Sequence, residues 1–246
     1  MRKITLICIW AGLTVLLSGC LLVSFDGIGA NAVQGTGNMV TKDFDTWDFT
    51  GIDIGGNYVI VYRQSQTVSI SVSMQENLFD YLNVGVRNGI LHVDSDRSFR
   101  TDQNYRPRIY ISAPYLETVI ISGAASIENW DTIAVETLHI NVSGAGDGLI
   151  PMHVDTLEIS IAGAADFTLT GTASTANLSI AGAGDIDALG LQAVNATVVI
   201  AGAGSADVAV SDTLDVTITG AGTVRYVGSP QVNRTIAGIG SVQRVE

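Results

Sequence analysis

The sequence predicts an all-β protein: a single-stranded, right-handed parallel β-helix (β-solenoid) with coils of 18–21 residues, closed at its N-terminal side by a β-rich cap. Three observations predict it. A small-residue knot recurs seven times, as SGAAS, SGAGD, AGAAD, AGAGD, AGAGS, TGAGT and AGIGS, and its first glycines are Gly123, Gly144, Gly163, Gly182, Gly202, Gly220 and Gly238. Aliphatic residues hold fixed places before each knot, and between them the chain alternates with period two, as a half-buried strand does and a helix cannot. The repeat is too short for a propeller blade and lacks the helical pattern of an ankyrin or tetratricopeptide unit.

At the start, Met1-Arg2-Lys3 precedes an apolar run from Ile4 to Leu17 and then Leu17-Ser18-Gly19-Cys20. A basic start, a short apolar stretch and small residues make a secretory leader, too short for a permanent membrane span. The tetrapeptide resembles the bacterial lipobox, which implies cleavage after residue 19 and acylation of Cys20. Leu21 is not the Asp of inner-membrane retention, so an outer-membrane destination is expected in a Gram-negative cell. The only other cysteine, Cys8, leaves with the leader, so no disulfide is expected. Losing Arg2 and Lys3 takes the net charge from −12 to −14, which repels nucleic acid and anionic headgroups.

Residues 20–42, the lipidated cysteine with a Gly/Asn/Ser/Thr-rich stretch, read as a flexible tether. The remaining 43–246 read as one domain, with 43–121 as opening strands and cap and 122–246 as regular coils. Strands are expected near 51–62, 67–73, 81–87, 90–94 and 108–112. Asn88-Gly89 signals a hairpin, and 75–81 holds the one helical turn.

In the coils, two residues before each knot glycine stand Ile121, Val142, Ile161, Ile180, Ile200, Ile218 and Ile236. Four before stand Val119, Ile140, Ile159, Leu178, Val198, Val216 and, out of pattern, Arg234. Stacked in register at about 4.8 Å, they form an aliphatic ladder in a rod of roughly 30 Å. The glycines are expected to bend the chain at a corner, adopt positive φ and let adjacent coils approach closely.

Phe49-Thr50-Gly51-Ile52-Asp53-Ile54, Tyr58-Val59-Ile60-Val61, Asn88-Gly89-Ile90-Leu91 and the serial knots together resemble the putative auto-transporter adhesin, head GIN domain family. The resemblance covers about residues 44–246. It implies a β-helical fold and an envelope location, and it brings no catalytic motif.

Three groups of residues are candidate sites. Three positions past the knot glycine, Asp147, Asp166 and Asp185 fall in consecutive coils; calcium could bridge them, or each could accept hydrogen bonds at its turn. The denser Gly-Gly-x-Gly-x-Asp calcium repeat is missing, so no cofactor is expected. Arg97, Arg100, Arg106 and Arg108 could hold an anionic partner, or form a loop neutralised by Asp94, Asp96 and Asp102. The outward positions, among them His139, Asn141, Asn177 and Ser179, form a flat polar face suited to an extended partner. Against sugar in particular, that face lacks aromatic platforms.

The sequence contains no nucleophile elbow, phosphate loop or Cys/His cluster, and its coils leave little room for the loops of β-helical polysaccharide lyases and hydrolases. The expectation is a non-catalytic, lipid-anchored envelope protein that binds an envelope protein or a polysaccharide, with self-association open. A scaffold in envelope stress or assembly is the first alternative, and a β-helical polysaccharide-degrading enzyme the second.

Overall fold

The computed structural model describes residues 32–45, 47–101 and 105–246. The expected leader, Cys20 and the first part of the tether lie outside these residues.

The chain folds as a parallel β-solenoid. The long strands Ala145–Ile161, Ala164–Ile180, Ala183–Ile200 and Ala203–Ile218 lie one above another. Their register matches Ile161 to Ile180, Ile180 to Ile200 and Ile200 to Ile218, and all four are fully buried. Leu157, Ala176, Ala196 and Leu214 stack likewise beside them. Burial alternates along each side of a coil, lapses at the knot and at Gly171 in the coil of Ala164–Ile180, and there shifts phase between Ala173 and Ala176. In Ala164–Ile180 the inward residues are Ala165, Phe167 and Leu169, then Ala173, then Ala176, Leu178 and Ile180. Each coil thus has two longer sides and a short third one, with side chains from all three meeting in one aliphatic core. Fully burying one isoleucine contributes about 1.5–3 kcal/mol, so continuous columns dominate the stability.

The knots are held by a recurring backbone pattern. The N–H groups of Ala181 and Gly182 both donate to the Ile161 carbonyl, at 2.8 and 3.0 Å, and Ala183 donates to the Gly163 carbonyl at 2.9 Å. The positive φ expected at the knot glycines is not what the chain uses there: the positive-φ glycines are Gly37, Gly89, Gly148, Gly171 and Gly228. Close approach is the reason for the knots. A Cβ on Gly144, Gly163, Gly182, Gly202, Gly220 or Gly238 would overlap the carbonyl oxygen of the preceding knot glycine.

The N-terminal half departs from chain order. Gly51–Ile54 and Asn57–Gln64 form a coil sandwiched between two later segments. On one side it pairs in parallel with Thr118–Ile121 and Ala124–Ile127; on the other, with Ile90–Ser95 and Arg108–Ala113. Gly55-Gly56 is therefore an eighth knot: Ile52 and Ile54 precede Gly56 by four and two, and a Cβ on Gly123 would overlap its carbonyl.

The cap is antiparallel. Ser69–Gln75 lies between Arg108–Ala113 and Met39–Asp43, and Leu82–Arg87 pairs with Ile90–Ser95. The hairpin turns at Asn88 and Gly89, with φ of 53° and 74°, as a type I′ turn requires. A 3₁₀ helix spans Glu76–Tyr81 where the helical turn was expected. The tether expected to reach residue 42 ends earlier, because Val33–Gln34 pairs with Phe99–Arg100 and Met39–Asp43 is part of the sheet. Under the cap, Tyr62 and Trp130 meet edge to face at 5.7 Å. The Tyr62 hydroxyl donates to the Ala113 carbonyl at 3.1 Å, and Trp130 Nε1 donates to the Ile60 carbonyl at 3.0 Å.

Candidate binding surfaces

The polar face forms as expected, because period-two strands in register send every second residue outward in columns. His139, Asn141, Asn177 and Ser179 come together with Glu158, Ser160, Thr197 and Val199 around a shallow depression of about 300 Å³. His139 Nδ1 lies 2.9 Å from Glu158 Oε2 across adjacent coils, with both side chains about half exposed. A pair so open to water adds at most about 1 kcal/mol, and only while the imidazole is protonated.

The four arginines do not act as one patch. Arg106 Nη2 donates to Ser126 Oγ at 3.1 Å, and Arg108 Nη1 donates to Glu128 Oε2 at 2.8 Å, so both reach onto the neighbouring coil. Arg97 and Arg100 sit on the exposed segment before residue 101, where the Arg100 carbonyl accepts from the Gly35 N–H at 2.9 Å. Among the described residues neither Asp94 nor Asp96 forms an ion pair with these arginines. Glu128 supplies the counter-charge for Arg108, while Asp96 accepts a hydrogen bond from Asn83. Asp102 lies outside the described residues.

Asp147, Asp166 and Asp185 do stack in register. Each accepts from an adjacent coil, not from its own turn. Ser126 Oγ donates to both Asp147 oxygens at 2.9 and 3.0 Å, the Asp185 N–H donates to Asp166 Oδ1 at 3.2 Å, and the Ser205 N–H and hydroxyl donate to Asp185 Oδ1 at 2.8 and 2.6 Å. Arg106 ends this chain at Ser126. Near the other end, Arg225 grips the buried Asp207 through Nε and Nη2. That hydrogen bond, followed by the charges of Asp207, Asp187 and Asp185, holds the Arg225 guanidinium above its ordinary pKa. Among the described residues no group of three or more His, Cys, Asp or Glu side chains is placed to hold a metal ion.

One arrangement has the residue types of a catalytic triad in the wrong order. Ser122 Oγ donates to Asp53 Oδ1 at 2.8 Å, and Asp53 Oδ2 lies 3.2 Å from His92 Nδ1. The carboxylate stands in the middle, so the imidazole has no contact with the hydroxyl and cannot serve as its base.

One further concavity was not expected from the sequence. A trough of about 1030 Å³ runs along the short third side across six coils. Its floor is Val135, Val154, Ala173, Ala193, Val210 and Gly228; one wall carries His153, Thr172 and Gln192, and the other Glu136, Asp155, Ser174, Val194, Ser211 and Ser229. Five coil spacings give it a length of about 24 Å. His153 Nδ1 lies 3.0 Å from Thr172 Oγ1 along one wall. The lining has two carboxylates and no Lys or Arg. It arises where burial slips phase, so that backbone and small side chains form the floor.

Similar solenoids are found among solved structures. A putative adhesin from Bacteroides fragilis shares 23% identity at a TM-score of 0.79, matching 87% of this chain and 100% of that one. A putative lipid binding protein from Parabacteroides distasonis shares 26% identity at a TM-score of 0.69, over 87% and 100% of the two chains. A putative adhesin from Parabacteroides merdae shares 24% identity at a TM-score of 0.65, over 88% and 100%. The sequence has no match among curated proteins. Residues 48–230 match the family described by its head GIN domain, and by that match this chain belongs to the putative auto-transporter adhesin, head GIN domain family.

Proposed function

We propose that this chain is a non-catalytic envelope protein, anchored through a lipid on Cys20, that holds an extended partner along the axis of its solenoid. The observation that carries the reading is the six-coil trough with its neutral-to-acidic lining. A groove that crosses six coils, its walls mixing polar residues such as Thr172, Ser174 and Ser211 with Ala134, Val194 and Val227, suits a linear chain and not a compact metabolite. Glu136, Asp155 and the lack of a cation disfavour a polyanion, so the partner is an uncharged or cationic segment of an envelope protein or polysaccharide. The flat face of His139, Asn141, Asn177 and Ser179 gives a second, shallower contact area.

A second reading is favoured by the apolar floor and the half-exposed Val194: an acyl chain lying in the same trough. The description of the Parabacteroides distasonis protein points the same way for that protein.

Thr172→Trp and Ser174→Trp fill the trough, whereas Asn177→Trp and Ser179→Trp load the flat face. Retention of envelope polysaccharide and of envelope proteins by each immobilised variant separates the two surfaces, and a fluorescent fatty acid tests the acyl reading. Loss of retention only in the first pair supports the trough; undiminished retention in that pair rejects it. Labelling with radioactive palmitate, abolished by Cys20→Ala, tests the anchor. Protease added to intact cells tells whether the body faces outward.

A further inference from the structure

Among the described residues the two ends of the stack differ. Antiparallel strands cover the N-terminal end, but the last coil, Gln231–Ile236 and Ile239–Arg244, pairs on one side only among the described residues. Ile236 is 40% exposed there and Ile239 84%. Register fixes which of its residues face inward: Val232, Arg234 and Ile236 lie over Leu214, Val216 and Ile218, while Val242 and Arg244 lie over Val224 and Tyr226. Beneath Arg234 the column consists of Val216, Val198, Leu178, Ile159, Ile140 and Val119, each at most 2% exposed. Beneath Arg244 stand Tyr226 and the buried Val208. Both sides of the final coil therefore place an arginine where the pattern asks for an apolar side chain.

We propose that Arg234 and Arg244 act as stops that keep this open end from pairing with the same end of a second copy of the chain. Two six-residue strands with free edge groups, flanked by Val232, Ile236, Ile239 and Val242, would otherwise template another coil. A twofold arrangement of two such ends brings all four guanidinium groups into one dehydrated layer. Asp215, the carboxylate of the adjacent outward column, already accepts from Asn233. Arg244 reaches back to donate to Ser229 Oγ at 3.0 Å, and Arg234, in register with Val216, is exposed. The self-association left open by the sequence is thus opposed at this end.

The test is the mass of the full chain in detergent, measured by light scattering over a concentration series. Wild type stays monomeric, as does Arg234→Lys/Arg244→Lys. Arg234→Val/Arg244→Tyr, which continues the two columns, dimerises about tenfold more tightly or better, and adding Ile239→Lys reverses it. A double variant that melts like wild type and stays monomeric overturns the proposal, as does a wild-type dimer broken by Ile239→Lys. If the double variant folds poorly, salt gives the same reading. At about 1 M, where the screening length falls to roughly 3 Å, wild type begins to associate and Ile239→Lys does not. No association of wild type under salt overturns the proposal too.

Discussion

Replacing Gly182 by alanine puts a methyl group where the carbonyl oxygen of Gly163 stands. That oxygen cannot give way, because it accepts the Ala183 N–H at 2.9 Å, while Gly182 and Ala181 donate to Ile161 at 3.0 and 2.8 Å. The coils must separate locally and stretch these three bonds, each worth about 1 kcal/mol net. Alanine also narrows the unfolded ensemble, which returns about 0.4–1 kcal/mol. The net loss is then about 2–3 kcal/mol, or roughly 5–10 °C in a domain of this size. Gly89→Asn is the control. Gly89 has a φ of 74° with open space around a Cβ, and asparagine tolerates that conformation, so its cost is a few tenths of a kcal/mol. Thermal melts by circular dichroism compare the two. A Gly182→Ala protein that melts with wild type, or a Gly89→Asn change that costs more, would refute close approach as the reason for the knots.

Ile180→Ala should lower stability by about 2–5 kcal/mol in urea titration, since Ile180 is fully buried, whereas Ile236→Ala at the open end should cost under about 1 kcal/mol. Burial, above all, pushes the hydroxyl groups of Tyr58 and Tyr62 up to about 12. Below pH 10 both are protonated folded or unfolded, so stability is unaffected; between about 10 and 12 only the unfolded chain ionises, and stability should fall by about 1.4 kcal/mol per pH unit per tyrosine. Tyr62→Phe should flatten that slope, and an unchanged slope would contradict it. Calcium or chelator should leave the melting temperature where it is, because each of Asp147, Asp166 and Asp185 already accepts hydrogen bonds from an adjacent coil. A rise of several degrees with millimolar calcium would show that those bonds give way to metal.

The coils were legible because in-register stacking forces equivalent positions to keep one spacing, and Ile161, Ile180 and Ile200 show it without help from a structure. The eighth knot at Gly55-Gly56 obeys the same rule but was hidden, since residues 65–117 separate it from its neighbour at Gly123. The arginine contacts left a signal that could have been used. Arg106 to Ser126 and Arg108 to Glu128 both span 20 residues, one coil length. The trough left almost none. It depends on where burial slips phase, and the slips move between coils through register shifts such as Thr168/Thr170 and Ala188/Gln192. His139, Asn141, Asn177 and Ser179 were found as a group because strand alternation alone places them on one face.

A linear stack has two ends and must close both, and this chain does so by unlike means. At the N-terminal end Met39–Asp43, Ser69–Gln75 and Leu82–Arg87 run antiparallel to their neighbours and cover the last parallel segment of the stack. The coil at 51–64 lies between the segment at 90–113 and the one at 118–127, so chain order and spatial order disagree there. At the other end no strand folds back among the described residues, and two departures from the repeat, Arg234 and Arg244, stand in for a cap. The first solution buries apolar surface and adds stability. The second adds none and acts only against a wrong partner. The C-terminal coil should therefore be the first to exchange its amide hydrogens and the capped end among the last, a gradient that coils of equal sequence quality would otherwise not show.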